Sequence, residues 1–204
     1  MTSKTFIKNV EHESAIKHVT GRAIYTDDIS EPRNLLHAAI GFSPVSKGII
    51  EKIDYSEVLN SDGVIDIITE KDIEGQNDVG PIFKGDKIFT SKKIEYHGQP
   101  IFAVIASSTI LARKALLKIK LKIKKQKPII TIDDAIRKKS FVLKSKTIKR
   151  GKSNTAITNS KHRLTGKLEC GGQDHFYLEG QIAMTIPQED NNFLIYSSTQ
   201  HPSE

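Results

Sequence analysis

Residues 100–125 read PIFAVIASSTILARKALLKIKLKIKK, and this stretch decides the fold class of the 204-residue chain. Its opening run, PIFAVIA, is apolar throughout and typical of a buried strand. Ser107 or Ser108 then offers a side-chain cap for a helix, which continues with apolar residues at helical spacing in Ile110, Leu111 and Ala115. Residues 118–124 alternate lysine with isoleucine or leucine, the two-residue period of a half-buried strand. The order strand, helix, strand predicts an α/β domain with the helix packed over a sheet.

Apolar patterns on either side of this unit predict further short elements. Strands are predicted over residues 21–28, 34–43, 48–54 and 64–69. A helical pattern over residues 56–61 is followed by Gly63, and glycine commonly stands just beyond a helix end. Residues 70–89 combine glycines, a proline and charges without a sustained apolar period, which predicts an irregular surface loop. A short helix, started by Thr131 or Asp133, is predicted over residues 131–139.

A polar stretch divides the chain. Residues 144–161 read KSKTIKRGKSNTAITNSK, which lacks a strong period and is typical of a linker. Further strands are predicted beyond it, over residues 163–172 and within residues 175–187 and 192–199. We therefore predict a compact α/β domain over residues 14–127, a connecting segment over residues 128–161, and the start of a second region over residues 162–204.

The charge balance leaves two functions open. The formal net charge is +7, from 31 basic and 24 acidic residues, and much of the excess lies between Arg113 and Lys152. A basic module that binds nucleic acid or an acidic partner is therefore the alternative function. The alternation over residues 118–124 instead favours a solvated strand face whose lysines need no ligand. On this pattern we expect nucleic acid not to be the partner.

Composition also limits the compartment and the cofactors. The chain lacks an apolar run of about 18 residues and a signal-peptide core, so we expect a cytoplasmic protein with no membrane segment. Cys170 is the only cysteine, which excludes an intrachain disulfide. A four-cysteine iron-sulfur cluster cannot be built from this chain alone.

Residues 171–181, GGQDHFYLEGQ, collect glycines, aromatics and ionisable groups in one short stretch. The glycines permit positive φ and close backbone approach. The stretch is therefore either a tightly packed turn into a strand or the border of a buried polar site. His175 can orient polar neighbours there, although a structural histidine is the favoured interpretation. Glu179 is expected to pair or form a hydrogen bond within the same region.

Three other groups contain residue types that are common in functional sites, but a structural role is the favoured interpretation for each. Asp27 and Asp28 are adjacent carboxylates, but neighbouring side chains in a strand or turn point apart, so turn formation is favoured. A turn with a structural role is also predicted immediately before the strand at residue 100, in His97, Gly98 and Gln99. Cys170 lies close to His175, yet a small residue at a strand end is favoured over a catalytic thiol.

Six motifs occur in order along nearly the whole chain. They are HESAIKHVTGRAIYTDDI (12–29), HAAIGFSPVSKGIIEKID (37–54), GQNDVGPI (75–82), YHGQPIFAVIA (96–106), GGQDHFYLEGQ (171–181) and SSTQHPSE (197–204). In these motifs the chain resembles the xanthine dehydrogenase and aldehyde oxidase family, and within it the molybdopterin-binding subunit of bacterial xanthine dehydrogenases. The resemblance implies an α/β hammerhead domain, with a mixed sheet and packed helices, followed by the start of a molybdopterin-binding domain.

The same resemblance assigns Gln200, in the motif STQHP, to the cofactor site. It matches a glutamine whose side-chain amide lies beside the molybdenum centre in the family. An amide can donate to a metal-bound oxygen without competing as an anionic ligand. The GGQDHFYLE motif is then expected to help build the wall between the hammerhead domain and the cofactor region. No residue of this chain is assigned a catalytic or metal-ligating role.

The resemblance also implies a function and partners. The complete family enzyme would hydroxylate a purine such as hypoxanthine or xanthine, passing electrons through iron-sulfur clusters and FAD to NAD on partner domains. The family's glycine-rich pterin loop, substrate-binding arginine and glutamate base lie beyond its STQHP motif. We therefore expect this chain to be an N-terminal portion of the subunit that is inactive by itself. Its expected partners are the remainder of the molybdopterin subunit and an iron-sulfur and FAD subunit.

Overall fold

The structure, a computed structural model, describes residues 11–201. The helices are α1 (Ala15–Val19), α2 (Ser56–Leu59), α3 (Thr109–Leu116), α4 (Ile132–Arg137) and α5 (Ser153–Asn159). The strands are β1 (His37–Phe42), β2 (Gly48–Asp54), β3 (Val64–Ile68), β4 (Lys93–Ile94), β5 (Pro100–Ala106), β6 (Lys120–Lys125), β7 (Ala183–Pro187) and β8 (Phe193–Ser197). Short 3₁₀ turns cover Thr26–Asp28, Glu70–Asp72 and Glu189–Asn191.

The chain forms two compact units. The larger unit comprises residues 34–170, and the smaller joins the residues up to Arg33 with those from Gly171 onward. The three-part division predicted above, with boundaries at residues 127 and 161, stays a prediction.

The larger unit contains two three-stranded sheets. Their strand orders are β1-β5-β3 and β4-β2-β6, and every neighbouring pair is antiparallel. The α/β fold class is as implied, but the mixed sheet is not found among the described residues, because the strand directions within each sheet alternate. The predicted strands over residues 100–106 and 118–124 both form, as β5 and as β6, which begins at Lys120, but they belong to different sheets.

The main core lies around β5. Phe102 and Val104 on this strand are buried together with Val58 of α2 and Ile94 of β4. The ring of Tyr55 meets the ring of Phe102 edge to face, with centroids 5.2 Å apart. A Cβ atom at Gly41 would lie 2.4 Å from the Phe102 ring, so the absence of a side chain there lets the ring pack against the β1 backbone.

Helix α3 begins where the sequence predicts. The Ser108 hydroxyl accepts the Leu111 N–H at 3.3 Å and caps the helix. The helix buries Ala112 and Ala115 against β1 and β5, which confirms a helix packed over a sheet. Leu111 is half-buried, whereas Ile110 is 67% exposed, so Ile110 does not belong to the packed face.

The strand predicted over residues 21–28 is absent from the structure. Thr26–Asp28 instead form a 3₁₀ turn, in which the Asp28 carboxylate accepts the Tyr25 N–H at 3.0 Å. This local carboxylate bond competes with extended pairing, which explains why strand propensity fails here. The prediction that Asp27 and Asp28 form a turn is confirmed.

The region between α4 and the GGQDHFYLEGQ motif is exposed and largely without regular secondary structure. The linker predicted over residues 144–161 contains α5, which buries none of its residues. The strand predicted over residues 163–172 is wrong, because no neighbouring strand pairs with this segment in the structure. Cys170 is consequently exposed on irregular backbone and does not lie at a strand end.

The smaller unit is built on an antiparallel ribbon of β7 and β8. The strands pair from Ala183 opposite Ser197 to Pro187 opposite Phe193. Met184 is buried, while Phe193 and Ile195 are 63% and 61% exposed. An apolar strand such as residues 192–199 is expected to pack its Phe193 and Ile195 side chains, but among the described residues both stay exposed, since a two-stranded ribbon has no second layer to cover them. No helix within residues 11–201 is long and apolar enough to cross a membrane.

Candidate functional site

The GGQDHFYLEGQ motif and the residues after β8 meet at one end of the ribbon. Ala183 pairs with Ser197, so the chain enters β7 and leaves β8 side by side. The two segments line an open cleft of about 690 Å³. Its walls are His175, Tyr177, Glu179 and Gln181 on one segment and residues 197–201 on the other. The structure thus brings Gln200, His175 and Glu179 to one place.

Ser198 joins the two walls through its hydroxyl and its backbone. Its hydroxyl oxygen accepts the Ile182 N–H at 3.0 Å and its proton is donated to the Gly180 carbonyl at 2.8 Å. The Ser198 N–H is also donated to the Ile182 carbonyl at 3.1 Å. These bonds extend the ribbon by one residue beyond the regular strand pairs.

Gln200 lies at the middle of a short turn that follows this junction. The Thr199 hydroxyl accepts the His201 N–H at 3.0 Å, which closes the turn on either side of Gln200. Gln200 itself is exposed and lines the cleft. The amide therefore stands on a locally fixed backbone at the cleft wall.

Glu179 is half-buried and engaged with the N-terminal segment. Its carboxylate accepts the Thr26 N–H at 2.7 Å, which satisfies a backbone donor at the start of the 3₁₀ turn. The prediction that Glu179 forms a hydrogen bond in this region is confirmed. The bond gives this carboxylate a structural role at the cleft wall.

The aromatic and amide side chains of the motif also contact one another. The Gln181 amide donates to the Tyr177 hydroxyl at 2.7 Å. Phe176 adopts a left-handed backbone with φ of 48°, a conformation that non-glycine residues rarely adopt. None of the glycines expected to permit positive φ or close approach, namely Gly171, Gly172 and Gly180, shows either feature among the described residues.

The residues before β5 form the structural turn that the sequence predicts. Gly98 has φ of +82°, and its N–H is donated to the Ser43 carbonyl at 2.9 Å. Gln99 is buried, and its side-chain oxygen accepts the Glu95 N–H at 2.8 Å. The satisfied amide fixes the turn, and the structural interpretation is confirmed.

The lysine-rich face of β6 is balanced by acidic neighbours. Lys120 pairs with Glu57 at 2.5 Å and Lys122 pairs with Glu51 at 3.2 Å. The hydrogen bond that Lys120 donates to the Glu57 carboxylate, together with the charge of that carboxylate, raises the pKa of Lys120 above its ordinary value. These pairs favour a solvated strand face over a surface that collects phosphates.

The chemistry of the cleft fits hydrogen bonding to an organic cofactor. Its walls carry amides, hydroxyls, imidazoles and one carboxylate that is already bonded to backbone. Across residues 11–201, no group of three or more histidine, cysteine or carboxylate side chains is arranged to hold a metal ion. The amide, hydroxyl and imidazole groups of the walls can donate and accept hydrogen bonds to such a cofactor.

Several cleft residues were not singled out from the sequence. Ser198, Thr199 and Gln181 each make a hydrogen bond that shapes the site. The run of hydroxyl residues directly after an apolar strand was the available signal, because serine and threonine form local side-chain turns at such ends. The partners of Thr199 and Gln181 are local. Those of Ser198 lie on the other segment of the junction, at Ile182 and Gly180, which sequence spacing does not reveal.

Residues 20–127 match the family model described as "Aldehyde oxidase and xanthine dehydrogenase, a/b hammerhead domain". The match covers more than half of the chain. The chain belongs to the aldehyde oxidase and xanthine dehydrogenase family. Residues 135–204 match the molybdopterin cofactor-binding domain, so the cleft beside Gln200 lies within the cofactor-binding domain of this family.

The relatives of this chain include aldehyde oxidases and xanthine dehydrogenases. Aldehyde oxidase 2 of Rattus norvegicus is 38% identical over 196 residues, covering 95% of this chain and 14% of that protein. Xanthine dehydrogenase of Drosophila pseudoobscura pseudoobscura is 34% identical over 196 residues, covering 95% of this chain and 15% of that protein. The chain thus spans about one seventh of the length of these relatives.

A solved structure confirms the fold. The aldehyde oxidoreductase from Desulfovibrio gigas matches with a TM-score of 0.76 at 26% identity, covering 91% of this chain and 23% of that one. The hammerhead domain and the opening of the cofactor-binding domain, as implied by the motifs, are therefore both present in this member of the family.

Proposed function

We propose that this chain contributes the hammerhead domain and one wall of the cofactor site to a molybdenum hydroxylase. The observation that carries the proposal is the placement of Gln200 on a fixed turn at a polar cleft, within the segment matched by the cofactor-binding domain. The opposite wall is formed by the family motif that contains His175 and Glu179.

In this proposal Gln200 donates a hydrogen bond from its amide to the bound molybdopterin cofactor. When bound, the cofactor supplies the redox chemistry, while the chain supplies position and hydrogen bonds. A neutral amide suits this role because it offers two N–H donors and brings no charge into competition with anionic groups. His175 and Glu179 shape the wall and are not proposed as catalytic residues.

The finer parts of the proposal concern substrate and partners. We propose a purine such as hypoxanthine or xanthine as substrate, supported by identity to xanthine dehydrogenases at 34%. An aldehyde is the second candidate, because aldehyde oxidase 2 is 38% identical. Electrons would pass to iron-sulfur and FAD groups on a partner subunit in the cytoplasm. The rest of the molybdopterin subunit is the other partner, consistent with the small share of each relative that this chain covers.

The test uses the chain combined with the remainder of a family molybdopterin subunit and its electron-transfer subunit. Gln200→Ala is expected to lower turnover of xanthine or aldehyde and the molybdenum content of the purified complex. Gln188→Ala is the matched control, since Gln188 is exposed just beyond the far end of β7. Full turnover and full molybdenum occupancy in the Gln200→Ala complex would remove Gln200 from the cofactor site.

The chain by itself is expected to retain no molybdenum and to oxidise no xanthine. One amide contributes a hydrogen bond or two, worth about 1–3 kcal/mol, which is too little to hold a large cofactor in an open cleft. Metal analysis and xanthine-dependent NAD reduction on the purified chain measure this. Stoichiometric molybdenum in the chain alone would contradict the shared-site proposal.

A further inference from the structure

We propose that Ser198 is a positioning residue that holds the Gln200 turn against the opposite wall of the cleft. The inference rests on the proposed function of Gln200, but its geometry belongs to the chain itself. Ser198 is half-buried and lies two residues before Gln200. Its hydroxyl contacts the backbone on the opposite side of the junction, at Gly180 and Ile182.

The bonding capacity of the hydroxyl is well matched to its surroundings. A serine hydroxyl has one proton to donate and two lone pairs to accept. Ser198 donates to the Gly180 carbonyl at 2.8 Å and accepts the Ile182 N–H at 3.0 Å. The Ile182 carbonyl lies farther from the hydroxyl, at 3.3 Å, and receives the Ser198 N–H. An alanine at this position would leave both the Ile182 N–H and the Gly180 carbonyl without the side-chain partner.

The Ser198 hydroxyl can act on Gln200 because only one residue separates them and a hydrogen bond closes the turn around Gln200. The next residue, Thr199, accepts the His201 N–H and so joins the two sides of the Gln200 turn. A turn that is closed on itself moves as one piece, and Ser198 joins that piece to the segment that carries Gln181 and Glu179. Without the Ser198 hydroxyl, the turn is held by the strand pairing and a single additional backbone bond.

If Ser198 only stabilised the ribbon, removing its hydroxyl would weaken the whole β7–β8 ladder. If it positions the turn, the effect stays at the junction and the turn. The β7–β8 ladder begins at Ala183 and Ser197 and does not include the Ser198 hydroxyl. Removing that hydroxyl should therefore leave the ladder intact and alter only the junction and the turn. This difference gives a measurement that separates the two roles.

The first test measures amide exchange and side-chain amide signals by NMR on the complete 204-residue chain. In Ser198→Ala, exchange at Ile182 should rise roughly fivefold to tenfold, the change expected for one lost hydrogen bond of about 1 kcal/mol. The Gln200 side-chain NH₂ and His201 N–H signals should shift, while ladder amides such as Leu194 stay unchanged. Ser198→Thr keeps the hydroxyl and should restore the original values. Thr185→Ala, which removes an exposed hydroxyl within β7, is the matched control.

Two results of that test overturn the inference. Unchanged Gln200 and His201 signals in Ser198→Ala would show that the hydroxyl does not position the turn, whatever happens at Ile182. Equal loss of protection along the whole ladder would show that Ser198 stabilises the ribbon in general.

The second test separates this inference from the proposed function by comparing variants in the assembled enzyme. If Ser198 acts through Gln200, Ser198→Ala lowers kcat, and the double variant Ser198→Ala with Gln200→Ala loses no more than Gln200→Ala alone. Losses that multiply in the double variant would overturn the inference. A Gln200→Ala enzyme with full activity would instead defeat the proposed function, while the NMR result on the chain would still decide whether Ser198 positions the turn.

Discussion

The N–H of Thr26 is donated to the carboxylate of Glu179 across a sequence separation of 153 residues, at 2.7 Å. Thr26 opens a 3₁₀ turn, whose first N–H groups have no partner within the turn. Glu179 supplies that partner and also lines the cleft beside Gln200. The N-terminal segment therefore helps to fix the wall of the candidate site, although none of its described residues, from residue 11 onward, lines the cleft.

Replacing Glu179 tests this connection. Glu179→Ala should speed exchange of the Thr26 amide and destabilise the smaller unit by about 1–3 kcal/mol, because a backbone donor loses a charged acceptor. Glu179→Gln retains an oxygen acceptor and should lose less. Hydrogen exchange followed by mass spectrometry measures the effect. Glu189→Gln, at an exposed carboxylate in the turn between β7 and β8, serves as the control. Equal Thr26 exchange in the Glu179→Ala variant and the unmodified chain would contradict the prediction.

Alanine substitutions in the larger unit should reduce stability in proportion to how deeply the replaced side chain is buried. Phe102→Ala removes a ring that is 1% exposed and should reduce the free energy of unfolding by about 3–5 kcal/mol. Leu111→Ala should lose about 2 kcal/mol, at the low end of such values, because Leu111 is only half-buried. Ile110→Ala is the control on the same helix, since Ile110 is 67% exposed and should change stability by less than about 0.5 kcal/mol. Urea denaturation ranks the three, and a loss at Ile110 equal to that at Leu111 would contradict the assigned packing.

The hydrogen bonds of the Asp78 carboxylate are expected to make the surrounding loop sensitive to acid. Its carboxylate accepts the Gly80 N–H at 2.9 Å and the Gly85 N–H at 2.7 Å, and these bonds lower the pKa of Asp78 below its ordinary value. A lowered pKa in the folded chain means that this stabilisation is present above the unfolded value, about 3.9, and is lost as pH falls through the folded pKa.

Amide exchange at Gly80 and Gly85 should therefore accelerate as pH falls below about 4, beyond the intrinsic pH dependence of exchange. Asp78→Asn should lower the protection of these two amides already at neutral pH and reduce the acid response of the loop. Asp62→Asn replaces another exposed carboxylate of the same unit and should change neither. If protection of the Gly85 amide changed neither with falling pH nor in the Asp78→Asn variant, this role for the carboxylate would be ruled out.

Limited proteolysis tests the proposed division into domains. Residues 136–178 are exposed throughout, and α5 buries none of its side chains. Trypsin should therefore cut first between Lys144 and Lys161, where basic residues are frequent and backbone pairing is sparse. The lysines of β6 are protected because their backbone is held in a sheet ladder. First cleavage within residues 100–125 would contradict the proposed boundaries.

The elements predicted well from the sequence are those in which local pattern and packing agree. The strand over residues 48–54 forms with the predicted bounds, because Ile50 and Ile53 pack in the core beside β6. Helix α3 begins at the predicted cap, because Ser108 satisfies an N–H that any helix start leaves open. In both places the information lies within a few residues of the element.

One error, at residues 21–28, follows from a local side-chain bond. The others arise where the outcome depends on a distant partner. Residues 163–172 have strand-forming residues, but a strand also needs a neighbour, and the structure pairs none with them. The hydrogen bond from Ser198 to Gly180, beside the Gln200 turn, is likewise a contact that no local pattern encodes. The motif resemblance pointed to Gln200 as a cofactor residue, a role that stays a prediction, while the hydroxyl network around it emerged only from the structure.

The central place of β5 sets the order in which the chain can fold during synthesis. Strands β1 and β3 are made first but do not pair with each other, since each pairs with β5. They must remain unpaired on the ribosome until residues 100–106 have emerged, because each pairing closes a long loop. The Thr26 N–H gains its acceptor later still, because Glu179 lies 153 residues farther along the chain. During translation we therefore expect the strand edges of β1 and β3 to stay exposed until β5 emerges, the condition in which a nascent chain is prone to aggregate and is shielded by chaperones.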